Sequence, residues 1–549
     1  MLFCGKQAAK RADCHKILII LEVGNSMVVP LPEPRQLHAW QTDCLNRWAE
    51  HGYQGIVNAV TGAGKTFLAL AAVQRLASVL PQALQVKIVV PQTFLASQWR
   101  DEIKRLLGVA GSDIGLYSGK RKDHGKRFMI YIINSARYSL ARHILSDIKN
   151  GMAVFLIADE CHHYGSEENR HIFDFIRLLD GNSPYYTLGL SATPDTLGPS
   201  YKTITASLGR EIYSYDLSRA LQDNIISRFI LFNISLAFRD DEKDAYQELS
   251  DKLTICLSRL WAVHPELRGL SGSAFFSRLH ILAARGTAGS GSSEYAASAL
   301  QLMYQRRSIS HMAKARIPCA LSIVRTLPPQ TRFLLFCERI QTAEAIYLAL
   351  QTAYPGQAGL YHSQMADTVR QNTLEHYRAG TFRLLVCCRA LDEGFNIPDT
   401  DVGVIVASTT SIRQRIQRLG RLLRRSGDIK RIYYLYIRDT MEDGEFINGL
   451  DALVEEVPLL MLDYDDPTET FFHEEFEDLR NQVLTYVQSR RDDEQMLQAI
   501  SRNLDLALLR GDFLLPEAVC RKHIRTSAKD RNYWVSVLYA VLARSGKLV

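Results

Sequence analysis

No stretch of this sequence approaches the ~18–20 apolar residues that a membrane-spanning helix requires. The nearest, Ile17–Leu21, is five residues long and ends at Glu22. It is also too short for the apolar part of a secretory leader, and it reads as a strand. The ten cysteines include no C-x-x-C pair, so neither a disulfide scaffold nor a zinc ribbon is indicated. Adjacent Cys387 and Cys388 lie in an apolar run and read as core thiols. No period of about 20–50 residues recurs, which excludes a solenoid. What remains is an ordinary globular composition: 549 residues, 47% hydrophobic, 9% aromatic and 23% charged. A chain of that length holds several domains of ~100–200 residues, each with its own core, and is neither disordered nor fibrous. Together these features point to a cytoplasmic protein with no membrane segment.

Charge is nearly balanced overall, at +6, but it is unevenly placed. Met441–Arg480 carries 14 acidic residues and one basic residue, a local −13 that leaves +19 on the remainder. So basic a body suits a polyanion, because neutralising phosphates releases counterions. Charge alone would fit a solvated surface equally well. The acidic block reads as a solvated connection or a docking surface. Its Asp463, Asp465 and Asp466 lack the glycine and spaced glutamate of a calcium loop.

Short β-branched runs alternate with helical periods, the pattern of an α/β fold with parallel sheets. One series is Ile56–Val60, Val86–Val90, Phe128–Ile133, Ala153–Ala158 and Thr187–Leu190. A second is Phe333–Phe336, Leu384–Cys388, Val402–Val406 and Ile432–Leu435. Between them lies a helix-rich stretch from Asp240 to about Pro328, which carries a glycine-serine tract at 286–293. The divisions predicted are an N-terminal extension (1–34), a first lobe (35–230), a helical connecting segment (231–328), a second lobe (329–440), an acidic connection (441–489) and a helical C-terminal module (490–549).

The chemistry begins where Val57–Val60 runs into Thr61-Gly62-Ala63-Gly64-Lys65-Thr66 and then into the helical run from Phe67. Strand, glycine-rich loop and helix follow in that order. Glycines let successive backbone N–H groups turn toward a triphosphate, and the helix N-terminus favours its charge. Lys65 would reach the β- and γ-phosphates and Thr66 would hold Mg²⁺. Ala59 stands where the strict motif has its first glycine. Downstream, the apolar run Phe155–Ala158 ends in Asp159-Glu160-Cys161-His162. Carboxylates at the end of a parallel strand face the ligand crevice. Asp159 would contact Mg²⁺, and Glu160 would polarise an attacking water.

Asp-Glu-Cys-His resembles the Walker B box of the superfamily 2 helicases and translocases, the DEAD/DEAH-box group in the broad sense. Other family motifs follow in order. Leu37–Gln41 resembles the adenine-reading element, with His38 for the usual Arg and Gln41 as the adenine contact. Pro91–Leu95 with Gln98-Trp99 resembles the strand-tracking element, with Gln92 for Thr. Ser191-Ala192-Thr193-Pro194 resembles the element that couples hydrolysis to lobe movement, and the resemblance gives His162 the link to it. Arg389–Pro398 resembles the E-G-x-D-x-P motif, placing Gly394 and Asn396 (for Asp) at the nucleotide. Gln417-Arg418, Gly420-Arg421 and Arg424 match Q-R-x-G-R-x-x-R. The resemblance implies catalytic roles for Gln417 and for the γ-phosphate fingers Arg421 and Arg424, with Arg418 organising the lobe interface.

The resemblance covers about 35–440 and implies two RecA-like lobes, ATP with Mg²⁺ as cofactors, and movement along a nucleic acid. In style it is closest to DNA-directed members: restriction-type ATPase subunits and bacterial repair or defence helicases. By family position, Thr93 and Phe94 in the first lobe and Arg339 and His362 in the second would contact the strand. Basic pairs in the connecting segment (Arg306-Arg307, Lys314 and Arg316) would lie against duplex. The tail near Tyr533-Trp534 would form a small winged-helix-like or partner-binding module, and the acidic block is a second candidate for a protein partner. Three readings stand at this point: a DNA helicase or translocase, a nucleic-acid-sensing ATPase switch or scaffold, and an enzyme that acts on RNA.

Overall fold

A computed structural model describes residues 36–192, 199–270, 272–284, 291–388, 400–407, 429–441, 457–490 and 493–548. The chain forms two compact units, one from residues up to 59 with 64–214, the other from 60–63 with 215–549.

The first unit is built on seven strands: β1 (Ile56–Ala59), β2 (Leu84–Val90), β3 (Ile114–Tyr117), β4 (Phe128–Ile132), β5 (Ala153–Asp159), β6 (Tyr185–Ser191) and β7 (Glu211–Tyr215). Their order across the sheet is β3-β4-β2-β5-β6-β1-β7. From β3 to β1 every pairing is parallel. Helices cover both faces of such a sheet, so its central strands are apolar throughout. All seven residues of β5 are buried. Lys87 in β2 is a buried cation, paired at 2.6 Å with Asp147. Burial lowers its pKa, and the Asp147 carboxylate works against that. The order sets β5, β6 and β1 side by side. Their C-terminal ends carry the carboxylates, the Ser191 element and the phosphate loop.

The second sheet has eight strands: β8 (Phe229–Leu236), β9 (Phe333–Cys337), β10 (Ala358–Tyr361), β11 (Leu384–Cys388), β12 (Val402–Ile405), β13 (Lys430–Ile437), β14 (Leu459–Asp465) and β15 (Thr470–Phe472). They are ordered β10-β11-β9-β12-β13-β8-β14-β15, parallel except for the β14–β15 hairpin.

Two sequence-based boundaries shift. Residues 229–236, predicted to straddle the end of the first lobe, form an apolar strand at the centre of the second sheet, paired with β13 over eight residues. The helix Arg316–Thr326, assigned to the connecting segment, packs Cys319, Ala320, Ile323 and Val324 into that sheet's core. The insertion proper is therefore the helices Asp240–Val263, Gly272–Ala284 and Gly291–His311, which pack on one another through Leu260, Leu279 and Ala296. Its entry and exit are clamped together by Glu242, whose carboxylate accepts the N–H of Arg239 (3.1 Å) and of Lys314 (2.8 Å).

The acidic block is also more than a connection. In β14, Leu460, Leu462 and Tyr464 are buried while Met461, Asp463 and Asp465 face outward, a period-two alternation that extends the sheet. The C-terminal helices Glu494–Arg510 and Arg531–Arg544 set Leu504, Leu508, Ala540 and Ala543 in the same core as β9 and β13. The predicted separate tail module is thus part of the second unit, and its described residues after 493 are helical with no wing. Tyr533 is occupied there, donating 2.6 Å to buried Asp512.

Candidate ATP site

At the C-terminal end of β1 the loop bends through Gly62 (φ +92°) and Gly64 (φ +94°), with Ala63 fully buried between them. Positive φ suits glycine, and a Cβ on Gly64 would also sit 3.0 Å from Gln41 Nε2. The helix Lys65–Val79 starts directly after Gly64, so its first N–H groups face the loop. Thr61, Lys65 and Thr66 are half-buried. Lys65 Nζ donates 2.8 Å to the Ala59 carbonyl. Buried Gln41 braces the loop: its Nε2 donates 3.1 Å to Gly64 O, and its Oε1 accepts the His38 N–H at 2.9 Å. That bracing role was not evident from the motif.

Asp159 closes β5. Its Oδ2 accepts from Trp99 Nε1 at 2.8 Å and its Oδ1 from the Glu160 N–H at 3.1 Å. Burial, and then the adjacent Glu160, hold the Asp159 carboxyl above the usual carboxylate range; Trp99 and Lys65 pull the other way. Glu160 itself has left-handed backbone (φ +49°, ψ +49°), a strained conformation for a residue with a Cβ and one that clusters at functional sites. Its Oε2 is buried with no hydrogen bond among the described residues, 3.5 Å from His162 Nδ1. The same Nδ1 lies 3.0 Å from Ser191 Oγ at the end of β6. Tyr164 fixes this corner from behind, its hydroxyl within 2.9 Å of Val89 O and 2.5 Å of Asp159 O. Trp99 and Tyr164 were absent from the predicted site. Trp99 stood in a quoted motif, but nothing in the sequence pairs it with Asp159.

Gln41, Gly62, Ala63, Gly64, Lys65, Thr66, Asp159, Glu160, His162 and Ser191 thus meet at one sheet edge. Thr93 and Phe94 begin the helix Thr93–Leu107 after β2, on that same edge, Thr93 exposed and Phe94 half-buried. In the second unit Arg339 is engaged by the insertion: its Nη1 donates 2.6 Å to Tyr304 Oη and the guanidinium lies 4.7 Å from that ring's centre. His362, expected at the strand, is only 5% exposed, with Nε2 3.6 Å from Glu344, so it presents little to a phosphate. Arg316, expected against duplex, is fully buried. Thr193, Gly394, Asn396, Gln417, Arg418, Arg421 and Arg424 lie outside the described residues.

The chain matches two family models: the res subunit of type III restriction enzymes over residues 35–196, and the helicase conserved C-terminal domain over 315–426. Among curated proteins it is 26% identical over 427 residues to the DNA 3'-5' translocase XPB2 of Sulfurisphaera tokodaii, covering 76% of this chain and 87% of that protein. It is 24% identical over 424 residues to the putative DNA 3'-5' helicase Rad25 of Haloarcula marismortui, covering 77% of this chain but 55% of the relative. Among solved structures, the DUF1998 helicase MrfA bound to DNA shares the fold at 14% identity and TM-score 0.50, over 78% of this chain and 50% of that one. The ordered motifs, the two parallel sheets and the matched domain pair lead to one likeness: the chain is similar to the superfamily 2 helicases and translocases.

Proposed function

We propose that this protein is an ATP-dependent DNA helicase or translocase, hydrolysing ATP with Mg²⁺ at the edge where β5, β6 and β1 end. The observation that carries this reading is the chain of contacts from Gln41 through Gly64 and Lys65, and from Asp159 and Glu160 through His162 to Ser191. The residues fit the cofactor. Two adjacent buried carboxylates, the first lifted in pKa by burial and then by the second, would be stabilised by a divalent cation, and Glu160 Oε2 has no hydrogen bond among the described residues. Bound MgATP supplies the γ-phosphoryl group that is transferred to water.

Thr66 and Asp159 would hold Mg²⁺, with Trp99 fixing the Asp159 carboxylate. Lys65 would exchange its bond to Ala59 for phosphate oxygens. Glu160 would orient the attacking water and accept its proton. His162 would pass the occupancy of Glu160 to Ser191, and so to the Ser-Ala-Thr element. Gln417, Arg421 and Arg424 are proposed to stabilise charge on the γ-phosphate, with Gly394 and Asn396 against the nucleotide. DNA as the track is supported by the names of the translocase and helicase relatives and by the net +19 outside the acidic block.

The test is ATP hydrolysis by wild type and Glu160→Gln, each with single-stranded DNA, duplex DNA and RNA. Stimulation by DNA, with ATP bound but not turned over by the variant, is the expected result. Stimulation by RNA alone would change the substrate, and a rate indifferent to every nucleic acid would sink the motor reading.

A further inference from the structure

Arg316 starts the helix Arg316–Thr326 and is 0% exposed. Its guanidinium spreads over three separate points of backbone. Nε donates 2.9 Å to Ser310 O at the end of the insertion. Nη1 donates to Val406 O and, at 2.8 Å, to Leu435 O. Nη2 lies 3.5 Å from Ser310 Oγ. The ladder between β12 and β13 ends at the pair Ile405–Tyr434. Val406 and Leu435 are the next residues on each strand, and Arg316 holds both carbonyls. A planar five-donor fork can do this, whereas a lysine, with a compact ammonium, cannot span the same acceptors.

Burying a charge is costly, and an apolar side chain of similar volume often serves packing as well or better. The location gives the charge a purpose. In sequence, Val406 stands two residues before 408–428, the segment that carries Gln417, Arg418, Arg421 and Arg424. At its other end Arg316 holds Ser310, near the C-terminus of the helix Gly291–His311. Two turns earlier on that helix, Tyr304 sits on Arg339, a candidate strand contact at the end of β9. The root of the insertion is itself fixed by Glu242. One buried side chain thus joins the helix that touches Arg339 to the strand that leads into the arginine-rich segment.

We propose that Arg316 is a positioning residue for ATP hydrolysis, making the end of β12 and Leu435 of β13 move with the helical insertion. The inference rests on the motor reading above. A nucleic acid that takes Arg339 from Tyr304 shifts the helix Gly291–His311, and Ser310 and Arg316 carry that shift to Val406.

The experiment uses the full chain as wild type, Arg316→Lys and Tyr304→Ala. Steady-state ATP hydrolysis is measured with and without an oligo-dT strand, beside thermal melting. Arg316→Lys is expected to lower kcat at least ~10-fold with and without the strand while KM for ATP stays within about threefold, since a misplacement of ~1 Å can cost ~10²-fold. Tyr304→Ala, at a 60% exposed position that does not threaten folding, is expected to cut the stimulation by the strand at least ~3-fold. A wild-type kcat in Arg316→Lys overturns the proposal, as does a loss no greater than its loss of folded protein. Undiminished stimulation in Tyr304→Ala overturns the link through the insertion. A wild type that ignores the strand sinks the motor reading, and the kcat of Arg316→Lys without the strand then still decides the positioning role.

Discussion

Asp512 is 2% exposed and serves two half-buried partners at once. Its Oδ1 accepts from Arg431 Nη2 at 2.6 Å and its Oδ2 from the Tyr533 hydroxyl at 2.6 Å, while Arg431 Nε donates to Arg510 O at 2.7 Å. Strand β13 is thereby tied to both C-terminal helices. Asp512→Ala would leave a half-buried guanidinium and a half-buried phenol without this acceptor. Breaking a buried pair costs ~3–5 kcal/mol, and a stranded hydroxyl ~1–3 kcal/mol. The two share one carboxylate, so the costs do not simply add, and about 4–5 kcal/mol is the expected loss. Asp512→Asn keeps acceptor oxygen and loses only charge, so it should lose about half as much. Tyr533→Phe spares the ion pair and should lose ~1 kcal/mol. A chain with two units has no single unfolding transition, so the assay is amide hydrogen exchange of residues 494–544 in the native protein. Protection in Asp512→Ala within about tenfold of wild type, equivalent to ~1.4 kcal/mol, would refute the reasoning.

Three further outcomes follow from the first unit. Burial first, and then His124, Lys87 and Arg142, depress the pKa of His143 to about 4, while its Nδ1 keeps a 2.9 Å contact to Tyr131 Oη. The unfolded chain therefore binds more protons between about pH 6.5 and 4. Stability is full above that window and falls as pH drops through it. His143→Asn should flatten the melting temperature over this range, and an unchanged slope would exclude His143 as the cause. His162→Asn and Ser191→Ala should each lower DNA movement per ATP hydrolysed, and the double variant should do little more than either single, because one 3.0 Å contact is lost in every case. Fully additive losses would show that the two residues act separately. Gly64→Ala meets both a positive φ and Gln41 Nε2 at 3.0 Å, so nucleotide affinity measured with a fluorescent ATP analogue should fall at least ~10-fold. Retained affinity would mean that the loop is not held as described.

The meeting of the 61–66 loop with Asp159 and Glu160 at one edge was legible because such motifs place particular residues at fixed offsets from strand ends. Asp159 and Glu160 follow an uninterrupted buried run, and Gly62 to Thr66 sit between strand and helix. Strands with weak apolar signals were lost. Both β3, Ile-Gly-Leu-Tyr, and β10, Ala-Gly-Leu-Tyr, are edge strands of four residues whose glycine lies against a neighbouring side chain. A Cβ would collide with Met129 Sδ in one and meet Phe382 at 2.7 Å in the other. In β14 the charge count concealed the alternation beneath it. Arg316 reads as a surface cation because sequence gives charge without burial, and only tertiary structure supplies the carbonyls that accept its protons. His362 misled for the complementary reason: a polar residue after a strand looked exposed, yet lies against Glu344. Assigning β8 to the second sheet needed its pairing with β13, a contact spanning some two hundred residues that no local pattern encodes.

The two oxygens of Glu242 accept the N–H that enters the insertion and the N–H that leaves it. Tyr304 on Arg339 and Ser310 on Arg316 add two further ties. The insertion is thus a self-packed unit, its helices joined through Leu260, Leu279 and Ala296, whose two ends meet at one carboxylate. Variation of substrate preference among chains of this build would therefore accumulate between Arg239 and Lys314 away from Tyr304 and Ser310, the residues that hold Arg339 and Arg316.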